Sequence, residues 1–180
     1  MAGSINIFLI GPMGVGKTTI GRKLAKALKL EFVDSDHEIE QRTGADIPWI
    51  FDIEGEAGFR KREREVINDL TRRDGIVLAT GGGAVLDKRN RRRLAERGIV
   101  IYLQADIERL LTRTARDKTR PLLRTDDQRS RLEDIIKLRD PLYREIADEI
   151  ISTDKCTVPM AVRTIQSKLE SLAEKKRLNA

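Results

Sequence analysis

The sequence predicts a three-layer α/β fold in which a parallel sheet carries helices on both faces. Three observations predict it. Short apolar runs rich in β-branched residues recur along the chain, helical patterns separate them, and a glycine-rich loop stands between the first run and the first helical pattern. Strands this apolar need cover on both sides, and strand–helix alternation implies parallel pairing. Ligands of such sheets gather beyond the carboxyl ends of the strands. The residues to inspect are therefore those from Gly11 onward, Asp34 to Asp36, and Thr80 to Gly83.

The runs are INIFLI (Ile5 to Ile10), EFVD (Glu31 to Asp34), IVLA (Ile76 to Ala79), IVIYL (Ile99 to Leu103) and a weaker fifth, EIIS (Glu149 to Ser152). After the glycine loop, Ile20, Leu24, Ala27 and Leu28 share a helical face; Val66, Ile67 and Leu70 do so before the third run. Val162, Ile165, Leu169 and Leu172 form the stripe of a last helix. The basic stretch DKRNRRRLAERG (Asp87 to Gly98) reads as an exposed helix stopped by glycine. Two stretches fall outside the alternation. Asp36 to Gly58 predicts short helices and turns, forming a small lobe over about residues 36–62. Asp117 to Gln128 is polar and basic, and Pro121 bars a helix there; a loop of this length in a compact domain is usually functional or disordered.

The 180 residues suit one domain with an ordinary core. No apolar stretch approaches the roughly 18 residues of a membrane span. The N-terminus lacks a charged, apolar, small-residue leader pattern. A lone cysteine, Cys156, cannot form an internal disulfide, which fits a reducing cytoplasm, and the single histidine, His37, gives it little metal-binding company. The net charge of +6 suits phosphate neutralisation or arginines serving anionic ligands. With aromatics at 4%, no stacking residues accompany the basic ones, and nucleic acid is not expected as a partner.

Gly11, Gly16, Lys17 and Thr18 fit G-x-x-x-x-G-K-S/T, with a strand before and a helix after. Glycines let backbone N–H groups converge on phosphate oxygens at a helix start whose dipole favours negative charge. Lys17 would reach the β- and γ-phosphates, and the Thr18 hydroxyl would ligate Mg²⁺. The motif specifies a nucleotide, and leaves switch, motor and kinase chemistry open. Asp34 and Asp36 flank Ser35 at the end of the second run. One could support Mg²⁺ through water and the other orient a substrate hydroxyl; alternatively Asp36 or Ser35 caps a helix. Gly81, Gly82 and Gly83 offer either bare backbone to a ligand or a plain turn. Arg60 opens a helix after the Asp36 to Gly58 insert, and Arg139 closes one before Pro141; each is either a carboxylate fork or a solvated side chain.

Taken together, GPMGVGKTTIGRKLAKAL, FVDSDHEIE, GFRKRE, ATGGGAV, TRPLL and RDPLYRE stand in the order and spacing of the shikimate kinases, which the chain resembles from about Ile5 to about Leu172. The resemblance implies a P-loop kinase fold of the nucleoside-monophosphate-kinase type, one domain over residues 1–180, with five parallel strands, a substrate-binding lobe and a mobile lid at about residues 113–128. It implies transfer of the γ-phosphoryl of ATP to the 3-hydroxyl of shikimate in aromatic amino-acid biosynthesis, with one Mg²⁺, in a cytoplasmic monomer. Gly14, Val15, Gly16, Lys17, Thr18 and Thr19 would wrap the ATP phosphates. Thr18 would hold the metal, with Asp34 near it. Asp36 would bind the reacting hydroxyl as base or orienting group. Arg60 and Arg139 would clamp the shikimate carboxylate beside Gly81, Gly82 and Gly83, with Gly82 offering backbone to the ring hydroxyls. Arg120, in the lid, would stabilise charge on the transferring phosphoryl. Lys155 and Cys156 stand where the adenine should be lined. The rival enzymes are other small P-loop kinases, acting on nucleoside monophosphates or a sugar acid.

Overall fold

The computed structural model describes residues 5–115 and 127–178, with side chains to residue 172. Five strands, β1 (Ile7–Ile10), β2 (Glu31–Asp34), β3 (Ile76–Ala79), β4 (Ile99–Gln104) and β5 (Glu149–Ser152), lie in the order β2-β3-β1-β4-β5. Every pairing is parallel. The helices are α1 (Lys17–Leu28), α2 (Ser35–Thr43), α3 (Ile47–Leu70), α4 (Lys88–Arg97), α5 (Ile107–Thr114), α6 (Gln128–Ile146) and α7 (Val158–Leu178). None among the described residues is long and apolar enough to cross a membrane.

Side chains alternate across the sheet and build two cores. Ile7, Leu9 and Ile101 pack with Leu24 of α1, Leu110 of α5 and Ile165 of α7. Phe8, Ile10, Leu78 and Val100 pack with Ile67 of α3 and Leu94 of α4. Every residue of β1 and β3 is buried, whereas edge strands β2 and β5 each bury one residue, Val33 and Ile151. This is why the fifth run read weakly: an edge strand has less apolar surface to cover.

Several elements differ in detail from expectation. β1 starts at Ile7 rather than Ile5, and Asn6 just before it is buried and bonds through both side chain and backbone. Its amide donates to Arg73 O at 2.6 Å and accepts from Ile76 N at 3.2 Å, while its backbone carbonyl takes Ile99 N–H at 2.9 Å. One polar residue thereby aligns the starts of three strands. In α1 the buried face runs through Ile20, Gly21, Leu24 and Ala25; Ala27 is exposed and Leu28 only half-buried. The arginines of α4 are not all solvated. Arg91 donates to Val85 O at 2.7 Å, Arg93 to Arg64 O at 3.2 Å and Arg97 to Thr71 Oγ1 at 2.8 Å. Part of the basic surplus thus satisfies carbonyl and hydroxyl groups of neighbouring elements, among them the C-terminal end of α3. Gly98 ends α4 in extended backbone. Its role is close approach, since a Cβ there would lie 2.6 Å from the Phe8 ring.

The stretch from Asp36 to Gly58, which falls outside the alternation, folds as α2 and the first half of α3. Helical geometry breaks at Gly55 (φ 69°, ψ 179°), a conformation glycine adopts without a Cβ penalty. Phe51 and Phe59, on either side of the break, bring their ring centroids to 4.8 Å. Helix α6 continues through Pro141 to Ile146, although the sequence reading ends it before the proline. Pro141 lacks an N–H to donate to the preceding turn. The i,i+4 ion pair of Arg144 with Asp140 at 2.7 Å and burial of Tyr143 hold the helix across that gap.

Candidate active site

The phosphate loop runs from β1 into α1. Gly11, Gly14 and Gly16 have φ of 144°, 80° and 103°. A side chain at Gly11 would also run into the carbonyl of Leu103. Lys17 is the first residue of α1; it is 9% exposed, and its ammonium donates to Gly11 O at 2.7 Å and Pro12 O at 2.9 Å. Val15 puts its side chain in the core, so it presents only backbone to the cavity. Arg113, at the end of α5, reaches back with Nη1 to Gly14 O at 3.1 Å and Val15 O at 3.0 Å. The sequence reading did not include Arg113. The contact spans 98 residues along the chain, and nothing local in the sequence announces it.

The D-S-D stretch resolves into three separate tasks. Asp34 caps α2: its Oδ1 accepts from Asp36 N at 3.0 Å and His37 N at 3.3 Å, so the cap is neither Asp36 nor Ser35. Its other oxygen accepts from Thr18 Oγ1 at 2.7 Å, joining β2 to the phosphate loop. Ser35 is fully buried, and its Oγ accepts from Gly81 N at 3.0 Å. Asp36, relieved of capping, faces the cavity. A Cβ on Gly81 would lie 2.7 Å from Asp36 Oδ1 and 3.0 Å from Glu63 Oε2, so only glycine lets both carboxyl groups sit there.

Two guanidinium groups lie against the glycine run. A Cβ on Gly83 would overlap the Arg60 guanidinium, and one on Gly82 would stand 3.5 Å from Arg139 Nη1. Burial opposes the charge of Arg60, but Glu63 and Glu56 outweigh it and hold the pKa above its ordinary value. Arg60 Nη1 donates to Glu63 Oε1 at 2.9 Å. Arg139 is only 4% exposed; burial, aided by the neighbouring Arg60, lowers its pKa, and its Nε has no hydrogen-bond partner. A buried cation with an unused donor beside a half-buried one can hold a small anion.

Glu63 was also missed by sequence reading, although its spacing from Arg60 was the available signal. It is 1% exposed, with Oε2 unpartnered. Burial pushes it up to about 7, Arg60 pulling down and Asp36 pushing up. Between about pH 4.5 and 7 the folded chain therefore holds a proton that the unfolded chain has released. Stability should fall as pH rises through that window, by at most about 3 kcal/mol. Glu63→Gln keeps the shape of the protonated form, and thermal melts from pH 5 to 8 should show a flatter Tm profile than wild type. Parallel profiles would assign the proton elsewhere.

One cavity of about 960 Å³ is lined by Gly14 to Thr19, Asp34, Asp36, Arg60, Glu63, Gly81, Gly82, Gly83, Arg113, Arg139 and Cys156. Cys156 contributes along with Thr153, Thr157 and Val158. Lys155 does not: it is the exposed second residue of a turn, outside the cavity wall. Arg120 lies outside the described residues, as does most of the segment at 113–128.

A Walker-type phosphate loop sharing one cavity with two arginines at the carboxyl edge of a five-stranded parallel sheet fits a P-loop phosphotransferase. The sequence model of the shikimate kinases matches residues 13–170. A shikimate kinase of Pasteurella multocida is 59% identical over 96% of this chain and 99% of its own length. One from Vibrio cholerae is 59% identical over 94% and 98%. The structure of an Acinetobacter baumannii shikimate kinase in complex with shikimate superposes with a TM-score of 0.91 at 53% identity, over 93% of this chain and 94% of that one. The chain belongs to the shikimate kinase family.

Proposed function

We propose that this chain transfers the γ-phosphoryl group of ATP to the 3-hydroxyl of shikimate, giving shikimate 3-phosphate and ADP. The observation that carries the reading is one cavity lined by a phosphate loop together with two guanidinium groups, one of them buried, a carboxylate and glycines. An acceptor with one carboxylate and several hydroxyls matches that second set group for group. Arg60 and Arg139 take the carboxylate, and Gly81, Gly82 and Gly83 let the ring lie against backbone. Asp36 binds the 3-hydroxyl and orients its oxygen, accepting the proton as the bond to phosphorus forms. Phosphoryl transfer asks for positioning and charge stabilisation. Lys17 and the N–H groups of Gly14 to Thr19 supply these for the phosphates, and Arg120 adds charge from a lid at about 113–128 that also excludes water.

Thr18 and Asp34 suit Mg²⁺, being a hydroxyl and a carboxylate already in contact and both hard oxygen donors. The ion would offset charge on the β- and γ-oxygens. Its few protein donors fit a metal that keeps water and phosphate ligands. Cys156, Thr153 and Arg113 would form the wall near the base. The enzyme works as a cytoplasmic monomer in chorismate synthesis, without nucleic-acid or membrane partners.

A coupled assay with ATP, Mg²⁺ and shikimate tests the reaction, with AMP as the competing acceptor. Turnover with AMP and none with shikimate would overturn it. Within that assay Arg139→Ala should raise the KM for shikimate about thirtyfold or more, the loss expected for a buried charge-paired group, and leave the KM for ATP nearly unchanged. A collapse in ATP affinity instead would place Arg139 on the nucleotide side.

A further inference from the structure

We propose that Ser35 is a positioning residue for the transfer step: its hydroxyl holds the Gly81 N–H and so fixes the Asp36 carboxylate against the glycine run on which the acceptor lies. The proposal rests on the roles given above to Asp36 and to the glycine run.

Strands β2 and β3 pair in parallel register as far as Asp34 and Ala79. Successive N–H groups of a strand point to opposite sides. Thr80 N donates to Leu9 O of β1 at 3.1 Å, so the next N–H, that of Gly81, is turned toward β2. The extended backbone of β2 has ended there, because the chain enters α2 at Ser35. Ser35 Oγ takes the place of a strand carbonyl and accepts from Gly81 N at 3.0 Å, across 46 residues of chain. Ser35 is fully buried, so water does not compete for that N–H.

The neighbours of Ser35 give this bond its consequence. Asp34 Oδ1 holds the N–H of Asp36 at 3.0 Å. Asp36 Oδ1 lies 2.7 Å, and its Cγ 3.4 Å, from where a Cβ of Gly81 would stand. The carboxyl group therefore packs on the same residue whose N–H Ser35 binds. Other bonds tie the run elsewhere. Gly81 O accepts from Ala84 N and Gly83 O from Leu86 N, each at 3.1 Å, and Gly82 O accepts from Tyr143 Oη at 2.6 Å. Those three hold the run to the turn after it and to α6, whereas Ser35 holds it to the corner that carries Asp36. Without the hydroxyl a buried N–H loses its partner, and that corner can shift against the run. A hydroxyl oriented for attack on phosphorus tolerates little displacement.

The test compares Ser35→Ala, Asp36→Asn and the double variant in steady-state and single-turnover kinetics, varying shikimate and ATP separately, together with thermal melts. Thr71→Val is the control. Thr71, between α3 and β3, donates from a buried hydroxyl to Ile67 O at 2.7 Å and does not line the cavity. Ser35→Ala should lower kcat about tenfold, with both KM values within about threefold. In the Asp36→Asn background the same change should cost less than about threefold, because the group it positions is gone. Thr71→Val should lower Tm without moving kcat. A loss in Ser35→Ala below about fivefold, a loss of equal size in both backgrounds, or a comparable loss in Thr71→Val would each overturn the proposal. If Asp36→Asn lowers kcat and Ser35→Ala does not, only the role of Ser35 falls. If Asp36→Asn turns over normally, the reading of Asp36 falls first. Should Ser35→Ala be too unstable to assay, Ser35→Cys keeps a small side chain whose sulfur accepts only weakly. It should lower kcat about threefold, and no change would count against the coupling.

Discussion

Lys17→Ala is expected to lower kcat by about a thousandfold or more while the protein stays folded. The ammonium sits at a mostly buried position, held at 2.7 and 2.9 Å by the carbonyls of Gly11 and Pro12, and so is presented where phosphate charge shifts during transfer. In such a place a positive charge acts with little screening, and no other side chain of the loop carries one. The fold should tolerate the change, because position 17 opens α1 and alanine is the best helix former. Thermal melts and single-turnover phosphoryl transfer separate the two effects. Turnover near that of wild type would remove the loop from the catalytic account.

Asp36→Asn should reduce kcat by about a hundredfold to ten-thousandfold, with the KM for ATP close to wild type. Asparagine keeps the size and one acceptor oxygen but cannot take up a proton or hold a hydroxyl by a charge-assisted bond. The structure removes the competing explanation, since the cap of α2 is Asp34 and only the backbone N–H of Asp36 takes part in it. Stability should therefore change little. A variant whose melting collapses along with its activity would return Asp36 to a structural role.

Much of this molecule was legible before any coordinates. The five runs correspond to the five strands, because central parallel strands need unbroken β-branched apolar sequence and the loop between β1 and α1 needs its glycines. The site residues read from the sequence line one cavity in the structure, apart from Lys155, which is exposed outside it, and Arg120, which lies outside the described residues. Glu63, Arg113 and Tyr143 went unread for a common reason. Each acts on a partner already recognised, and a supporting side chain has no motif of its own.

The chain's pattern alone decided the architecture and the chemistry on offer: unbroken apolar runs, period-3.6 faces, and a glycine loop whose backbone must bend where side chains cannot follow. Only the folded arrangement decided who supports whom. Asp34 rather than Asp36 became the cap, Gly81 became the place where two carboxyl groups meet, and a tyrosine one turn past Arg139 met a glycine 61 residues away. Local pattern is written by each element's own need for burial and hydrogen bonding; these contacts arise between elements, after the parallel sheet has brought their ends to one edge.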